Sequence, residues 1–306
     1  YEDFANFEIE WTVPLKGNYR GYDIYAPGGE FCAAMLLQQL NVVESFDIAS
    51  MGHNTPETLH LMIETTKLAG LDRDKYVADP RFVDIPEQGL ISKEYAKALR
   101  AKLNLEHAAT GLTAGDPDPW EYEESHTTHL GTVDRWGNMV SYTTSTGSSF
   151  GTSVVVGNTG TTFNNGMGWM ELDPDHINCL APNKRPMNNI CPVFIFKDGE
   201  PIINAGTPGG NYIWGTMFQF IVNMIDFGMT PQRAVEVPRY LVRQFDGTRI
   251  SLVEAMPEET RKGLADRGHS ISTSWSGTIE VIMRNPETGV LTSGLDPTRD
   301  SSAAAW

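Results

Sequence analysis

The sequence of 306 residues has few cysteines, no long apolar run and no excess of basic residues. Its three cysteines, Cys32, Cys179 and Cys191, are too few and too scattered for a disulfide framework or a closed zinc site, so we expect small buried residues. No segment reaches the roughly 18 apolar residues that a membrane-spanning helix needs. The formal net charge of -16 would repel nucleic-acid phosphates and anionic lipids, so neither nucleic acid nor a membrane is expected as a partner.

The beginning of the chain, YEDFANFEIEW, has no initiator Met, no basic region and no apolar signal core. Two explanations stay open: a targeting segment has been removed, or the chain is an internal piece of a longer protein. A hydrophobic content of 40% is enough for a sizeable core. The longest apolar stretch, MFQFIVNMIDFG, is interrupted by polar residues and therefore predicts a core helix.

Residues 31–107 have the periodicity of helices. FCAAMLLQQLNVVESF places apolar side chains at a period near 3.6, and a second helix is predicted to begin with Thr55 as N-cap and Pro56 in its first turn. SKEYAKALRAKLNL predicts a more polar surface helix. The segment AATGLTAGDPDPWEYEESH follows, and its Gly, Pro and acidic residues predict an exposed, mobile linker that leads directly to Thr127.

The second half of the chain has the pattern of β-hairpins. THLGTV and MVSYTTST flank the turn DRWGN, VFIFKDGEPIINAG has Asp198-Gly199 at its tip, and IEVIMRNPETGVLTSG predicts a third hairpin. Helical patterns lie between the second and third hairpins. Alternating hairpins and helices predict a layered architecture with largely antiparallel sheets.

The first of these hairpins is crowded with threonine and serine. A threonine hydroxyl is a poor nucleophile without a base, and none of the seven histidines stands in a motif of a Ser-His-Asp hydrolase. A threonine that becomes the first residue of a chain can instead use its own α-amino group, whose pKa is about 8. From the residues alone, the other explanation is that β-branched residues simply suit a strand.

Several motifs together resemble the γ-glutamyltranspeptidase family of N-terminal-nucleophile hydrolases. They include TTHLGTVDRWGNMVS, FNNGM, APNKRPMNNICP, NAGTPGGN and LDPTRDSSAAAW, in the order of that family and over nearly the whole chain. The resemblance implies an α+β fold, a four-layer αββα sandwich of two stacked antiparallel sheets flanked by helices. It also implies a hydrolase or acyltransferase that cleaves γ-glutamyl or related acyl amides through a covalent acyl-enzyme.

The same resemblance implies the catalytic residues and the subunit organisation. Thr127 would be the nucleophile after autocleavage, Ser145 would lie near its amine, and the amides of Gly209 and Gly210 would stabilise the oxyanion. Residues 1–126 would be the C-terminal part of a large subunit and residues 127–306 the small subunit, joined as a heterodimer. The upstream part of the large subunit is absent from this chain. No cofactor or metal is implied, and the expected substrate is a small-molecule or peptide amide.

The sequence departs from the family where the substrate is expected to bind. Gly147, Gly166 and Trp169 occupy positions at which the family binds the glutamyl ammonium, and Asn188-Asn189 replaces a Ser-Ser pair that binds the carboxylate. Asn still donates hydrogen bonds, so carboxylate binding is expected to survive. These changes predict an acyl group other than free γ-glutamyl.

The segment Met170–Lys184 is short where some members have a lid, which predicts an open cleft. Two alternatives stay open at this stage. Glu171 or Asp173 could supply the missing ammonium contact, and the chain could be a non-catalytic member that acts as a binding or structural protein.

Overall fold

The structure of the protein is a computed structural model that describes residues 2–112 and 126–305. The α-helices are α1 Glu2–Ala5, α2 Ala33–Val43, α3 Ile48–Met51, α4 Pro56–Tyr76, α5 Glu87–Leu90, α6 Lys93–Arg100, α7 Ile213–Ile225, α8 Pro231–Glu236 and α9 Glu258–Asp266. The strands are β1 Leu15–Tyr19, β2 Tyr22–Ala26, β3 His126–Val133, β4 Met139–Gly147, β5 Val193–Lys197, β6 Glu200–Gly206, β7 Tyr240–Val242, β8 Arg249–Leu252, β9 Ser270–Thr273, β10 Glu280–Arg284 and β11 Leu291–Leu295.

The largest sheet has six strands in the order β1-β2-β5-β6-β10-β11, and all of its neighbouring strands are antiparallel. The hairpins β5–β6 and β10–β11 form as the sequence predicts. Asp198 and Gly199 both have positive φ at the tip of the β5–β6 hairpin, as a tight hairpin turn requires.

The hairpin β3–β4 is a separate two-stranded sheet that packs on strands β6 and β10. Asn204 of β6 joins the two sheets, because its side-chain amide donates hydrogen bonds to the carbonyl oxygens of Val140, at 2.7 Å, and Thr132, at 3.2 Å. Successive side chains of a strand point to opposite faces. Ile203 and Ala205 therefore face away from the hairpin, into the main hydrophobic core.

That core is covered by helices that were predicted from sequence. Every residue of α2 is buried, and α2 packs against β1, α4 and α7. The Thr55 hydroxyl accepts a hydrogen bond from the amide of Thr58, which confirms the predicted N-cap of α4. Helix α6 is largely exposed, and only Ala96 and Leu99 of it are buried. Among the described residues, no helix is both long and apolar enough to cross a bilayer.

All three cysteines are free, and the prediction that they are buried is correct for two of them. Cys32 and Cys191 lie in the core, whereas Cys179 is half-buried because it belongs to the loop after β4 rather than to a packed strand or helix. Cys32 and Cys191 form no disulfide with each other.

Two groups of strands were not expected from sequence. Strands β1 and β2 form a hairpin whose turn, Arg20-Gly21, has positive φ at both residues. Strands β7, β8 and β9 form a small sheet in which β8 and β9 are parallel. The predicted linker falls mostly on residues 113–125, which lie outside the described residues.

Candidate active site

Thr127 lies at the bulged start of strand β3. In the pairing of β3 with β4, His126 is opposite Gly147 and Thr127 is opposite Ser145, so the register shifts by one residue between His126 and Thr127. The Thr127 side chain is 5% exposed. Because a bulge bends a strand and redirects side chains, this irregularity sets the direction of the Thr127 hydroxyl at the peptide bond where cleavage is predicted.

The Thr127 hydroxyl belongs to a short chain of hydrogen bonds. Its oxygen lies 3.0 Å from the Ser145 hydroxyl, and the backbone N–H of Gly147 donates to the Ser145 oxygen at 2.9 Å. Since the Ser145 oxygen already accepts from Gly147, its own proton can point at Thr127. The structure therefore brings together the predicted nucleophile and the predicted neighbouring hydroxyl.

Gly147 is the residue that this arrangement requires. Its φ is +84°, and a Cβ built on it would lie 1.8 Å from the side-chain oxygen of Asn165. Any other residue at this position would be strained, and its side chain would displace that of Asn165.

The predicted oxyanion residues lie in the turn between strand β6 and helix α7. Gly209 and Gly210 have φ values of +142° and +56°, which L side chains rarely adopt. A 3₁₀ turn, Gly210–Tyr212, continues into α7, so backbone N–H groups without intrahelical partners gather at this end of the helix. Pro208, immediately before the two glycines, shares a cavity wall with Thr127.

The cavity beside Thr127 has a volume of about 550 Å³ and is mostly polar. Strands β3 and β10, the turn after β6 and the C-terminal segment form its walls. Its lining residues are Thr127, Thr128, Pro208, Thr278, Glu280, Pro297, Thr298, Arg299, Asp300 and Ser301. Five of the ten come from the C-terminal segment, which the sequence analysis assigned to no site.

The residues predicted to replace the ammonium clamp lie together at the end of β4. The amide of Asn165 donates to the carbonyl of Thr146 at 2.9 Å, and this bond holds the 3₁₀ turn Gly166–Trp169 beside Gly147. Gly166 is buried and Trp169 is half-buried. Gly147, Gly166 and Trp169 are thus neighbours, but they do not line the cavity that contains Glu280.

Asn188 and Asn189 are both engaged within the protein. Asn189 is buried, its amide donates to Asn211 at 2.7 Å, and its oxygen accepts from Arg73 at 3.3 Å. The Asn188 oxygen accepts from the amide of Ile190 at 3.0 Å. Asn189 therefore supports the turn that carries Gly209 and Gly210, and carboxylate binding by either asparagine stays a prediction.

The two alternative carboxylates lie in the loop after the 3₁₀ turn. Asp173 is exposed, and its oxygen accepts from the amide of Asp175 at 2.9 Å. Glu171 pairs through its backbone with Asn178 and Cys179. Neither carboxylate lines the cavity beside Thr127.

His129 is packed between the hairpin and strand β6. One ring nitrogen, Nδ1, lies 2.8 Å from the Thr143 hydroxyl, and burial lowers the pKa of His129 to about 4. A Cβ built on Gly206 would lie 2.3 Å from the ring. These contacts give His129 a structural part in joining the two sheets.

Glu280 is the one acidic residue of β10 in the cavity wall, and sequence analysis did not single it out. It is half-buried, Ser301 donates to one of its oxygens at 3.1 Å, and burial raises its pKa to about 7. The sequence did contain a sign that the C-terminal segment belongs to the site. The motif LDPTRDSSAAAW is part of the family pattern, and its Ser301 contacts the Glu280 carboxyl.

Among the described residues, His60, Glu64 and His269 form a buried group that could hold a metal ion. Hydrogen bonds account for these side chains. His60 Nε2 donates to the carbonyl of Asn104 at 2.8 Å, which leaves its Nδ1 to accept from His269 Nε2 at 2.8 Å. Glu64 is paired with the buried ammonium of Lys67 at 2.9 Å, a cation that would repel a metal ion.

Comparison with known proteins places the chain in a family. The γ-glutamyltranspeptidase family model matches residues 1–306. The glutathione hydrolase proenzyme of Bacillus subtilis strain 168 is 32% identical over 321 residues, which cover 99% of this chain and 54% of that protein. The acylase ACY 1 proenzyme of Pseudomonas sp. strain SE83 is 36% identical over 296 residues, which cover 95% of this chain and 51% of that protein. The chain belongs to the γ-glutamyltranspeptidase family.

Solved structures give the same relationship. The chain superposes on a cephalosporin acylase from Bacillus halodurans with a TM-score of 0.89 and 34% identity, covering 100% of this chain and 55% of that one. A γ-glutamyltranspeptidase chain from Helicobacter pylori aligns over its whole length with 56% of this chain. The TM-score of that superposition is 0.53 and the sequence identity is 28%. The chain spans about half the length of the curated relatives it matches.

Proposed function

We propose that the protein is an autoprocessed amide hydrolase or acyltransferase with Thr127 as its nucleophile. The observation that carries the proposal is the position of Thr127: it is buried at a bulge, its hydroxyl oxygen is 3.0 Å from that of Ser145, and it borders a cavity that also contains Pro208 of the glycine turn. Relatives named glutathione hydrolase and acylase support amide cleavage as the reaction.

The proposed reaction proceeds through an acyl-enzyme. After cleavage, the neutral α-amino group of Thr127 removes the proton from its own hydroxyl, and the oxygen attacks the carbonyl carbon of the substrate amide. The backbone N–H groups of Gly209 and Gly210 stabilise the oxyanion, each contributing about 3 kcal/mol. The amine leaves with a proton, and water or an acceptor amine then attacks the ester.

The proposed organisation has two subunits. Residues 1–126 form the C-terminal part of a large subunit and residues 127–306 the small subunit, which remain together as a heterodimer after cleavage. The proenzyme names of the relatives support processing. The Helicobacter pylori γ-glutamyltranspeptidase chain corresponds to only 56% of this chain, which fits a processed subunit. The complete fold would be a four-layer αββα sandwich with further chain from the large subunit.

The proposed substrate is an amide of a γ-glutamyl, glutaryl or similar acyl group. The lost ammonium clamp at Gly147, Gly166 and Trp169 favours an acyl group without the α-amino group. The names of a cephalosporin acylase and the acylase ACY 1 proenzyme among the similar proteins agree with a wider acyl range. A purely structural protein would have no need for the Thr127–Ser145 pair or the glycine turn.

The test of the proposed function is mass spectrometry of the denatured full-length protein. Wild-type protein should separate into two pieces that meet at the His126–Thr127 bond, and Thr127→Ala should remain intact. Thr127→Ser should still be cut, because it keeps a hydroxyl at the same position. Cleavage of Thr127→Ala at the same bond would remove Thr127 from the mechanism.

A further inference from the structure

Autocleavage poses a chemical problem that the mature enzyme does not have. Before cleavage the nitrogen of Thr127 is part of the peptide bond with His126, so the α-amino base of the mature enzyme does not yet exist. The Thr127 hydroxyl must nevertheless lose its proton as it attacks. A second proton acceptor near Thr127 is therefore needed for the first reaction alone.

Glu280 lies in the wall of the same cavity as Thr127. Its Cα pairs with Gly206 at the end of β6 and with Leu295 on β11, so the carboxyl stands next to the turn that leads to Gly209. Both residues line one cavity of about 550 Å³, which is large enough to hold water. Water in this cavity would be able to relay a proton between the two groups.

The two oxygens of Glu280 have different surroundings. Ser301 donates a hydrogen bond to Oε1 at 3.1 Å, whereas Oε2 is buried and has no hydrogen-bond partner within residues 2–112 and 126–305. A buried carboxyl oxygen without a partner is unfavourable in a purely structural residue. Because this oxygen is enclosed and unpaired, the charged carboxylate is disfavoured, and the side chain has a greater tendency to take up a proton.

The acid–base properties of Glu280 suit a base at neutral pH. Burial raises its pKa to about 7, so both forms are populated near pH 7. Asp296 raises this pKa further and Arg299 lowers it. The charged and titratable groups on the surrounding elements are His129 on β3, Arg239 before β7, and Asp296, Arg299 and Asp300 on the C-terminal segment.

His129 is less suited to the same task. Thr143 occupies its Nδ1, and although its Nε2 is buried without a hydrogen-bond partner among the described residues, His129 does not line the cavity. Burial lowers its pKa to about 4, so it binds a proton weakly at neutral pH. Asp296 is committed to a buried ion pair with Arg239. Of the two carboxyls that line the cavity, Asp300 is exposed, whereas Glu280 is half-buried and is the one whose properties match the reaction.

We propose that Glu280 accepts the Thr127 hydroxyl proton, through water, during autocleavage and returns it to the departing nitrogen. The Thr127 Oγ–C bond to the carbonyl carbon of His126 forms, and the C–N bond of the peptide breaks, which leaves an ester and a free α-amino group. Water then hydrolyses the ester to a carboxylate on His126 and the hydroxyl of Thr127. Glu280 is unchanged overall. This inference rests on the proposed function, because it assigns a base to its processing step.

The test measures processing separately from turnover. Full-length precursor is made by cell-free translation at low pH and moved to a series of buffers, and the cut fraction is followed over time. Wild-type processing should rise with pH as Glu280 ionises and level off above about pH 7. Glu280→Gln should process at least about 100-fold more slowly and lose that rise, since general base catalysis contributes 10²–10⁴-fold. Glu280→Asp should recover part of the rate.

Two controls keep the result specific. Glu287→Gln changes an exposed carboxyl in the β10–β11 turn and should process like wild type. In the second control, thermal unfolding of the uncut Glu280→Gln precursor is compared with that of the uncut Thr127→Ala precursor, and similar unfolding temperatures show that the slow processing is not a folding defect.

The outcomes separate this inference from the proposed function. Wild-type rate and pH profile of processing in Glu280→Gln would overturn the role of Glu280 while leaving Thr127 in place. Slower processing of Glu280→Gln that keeps the wild-type rise with pH would also overturn it, because the titrating base would then be another group. Cleavage of Thr127→Ala would instead contradict the proposed function itself.

Discussion

At the scale of single residues, Ser145 connects the proposed nucleophile to the backbone of β4. Its oxygen accepts from the Gly147 amide, and its hydroxyl lies 3.0 Å from that of Thr127. Because its oxygen accepts from Gly147, the Ser145 hydroxyl is held in place beside Thr127, and either hydroxyl of the pair is able to donate. A serine does this as well as a threonine, because the hydroxyl alone makes both contacts.

Replacing Ser145 should therefore reveal what the hydroxyl contributes. Ser145→Ala should lower kcat by about 10-fold, because losing one hydrogen bond costs about 1.4 kcal/mol. Ser145→Thr keeps the hydroxyl, so its kcat should stay within about threefold of wild type. The measurement is kcat for an anilide substrate with processed full-length protein. Equal activity of Ser145→Ala and wild type would show that Thr127 does not depend on this contact.

At the scale of secondary-structure elements, one turn and one strand end form the region where the sequence predicts a changed substrate contact. The 3₁₀ turn Gly166–Trp169 is held against the end of β4, and Gly147 leaves room there for Asn165. An acidic or amide side chain at Gly166 or Trp169 would be needed to bind an ammonium at this place. The loop carboxylate of Asp173 is instead exposed and caps its own turn.

If Gly147, Gly166 and Trp169 border the substrate as proposed, the enzyme should discriminate weakly between γ-glutamyl and glutaryl amides. Each lost charge-assisted contact to an ammonium removes about 1.5–3 kcal/mol of selectivity, so kcat/KM for a γ-glutamyl anilide and the matching glutaryl anilide should agree within about 10-fold. A strong preference for the γ-glutamyl compound would contradict the prediction. Repeating the comparison in Asp173→Asn would then identify whether that carboxylate binds the ammonium.

A second prediction at this scale concerns the contact between hairpin β3–β4 and strand β6. A Cβ on Gly206 would lie 2.3 Å from the ring of His129, so Gly206→Ala should lower the free energy of unfolding by about 1–3 kcal/mol. Gly168→Ala is the matched control, because a Cβ there has nothing within 4 Å. Thermal unfolding of the full-length protein is the measurement.

The double variant tests the cause of that loss. In Gly206→Ala/His129→Ala the ring is gone, so the loss should be smaller than the sum of the two single losses. Strict additivity of the two substitutions would mean that the close approach of Gly206 to His129 does not set the distance between the two sheets.

At the scale of the whole molecule, the hairpin β3–β4 has an uncovered apolar face. Leu130, Val140 and Tyr142 are 58%, 59% and 55% exposed, and cross-strand pairing places them on the same side. Exposed apolar side chains that share a face of a sheet are typical of a surface that another part of the protein covers. The proposed four-layer fold would supply that cover from the rest of the large subunit.

The prediction from this face is made for the full-length protein. Val140→Lys should lower its free energy of unfolding by about 2 kcal/mol or more, because a charge would be buried in the covered face. Val290→Lys is the control, since Val290 is 57% exposed in the β10–β11 turn and should tolerate the change. Equal stability of the two variants would argue against a further layer over the hairpin.

Local features of the sequence determined much of this protein by themselves. The hairpin turn at Asp198-Gly199, the Thr55 cap of α4 and the period of α2 depend on residues close together in the chain, so their patterns can be read directly. The order of family motifs indicated Thr127 and Ser145, which the register of one hairpin places opposite each other.

Only the tertiary structure decided which distant residues surround Thr127. The pairing of β6 with β10 brings Glu280 beside the turn of Gly209, and the return of the chain after β11 places Ser301 on the Glu280 carboxyl. The parallel pairing of β8 with β9 likewise joins strands separated by α9. Such contacts depend on long-range packing, which no local pattern in the sequence specifies. The raised pKa of Glu280 follows from the burial that this packing creates.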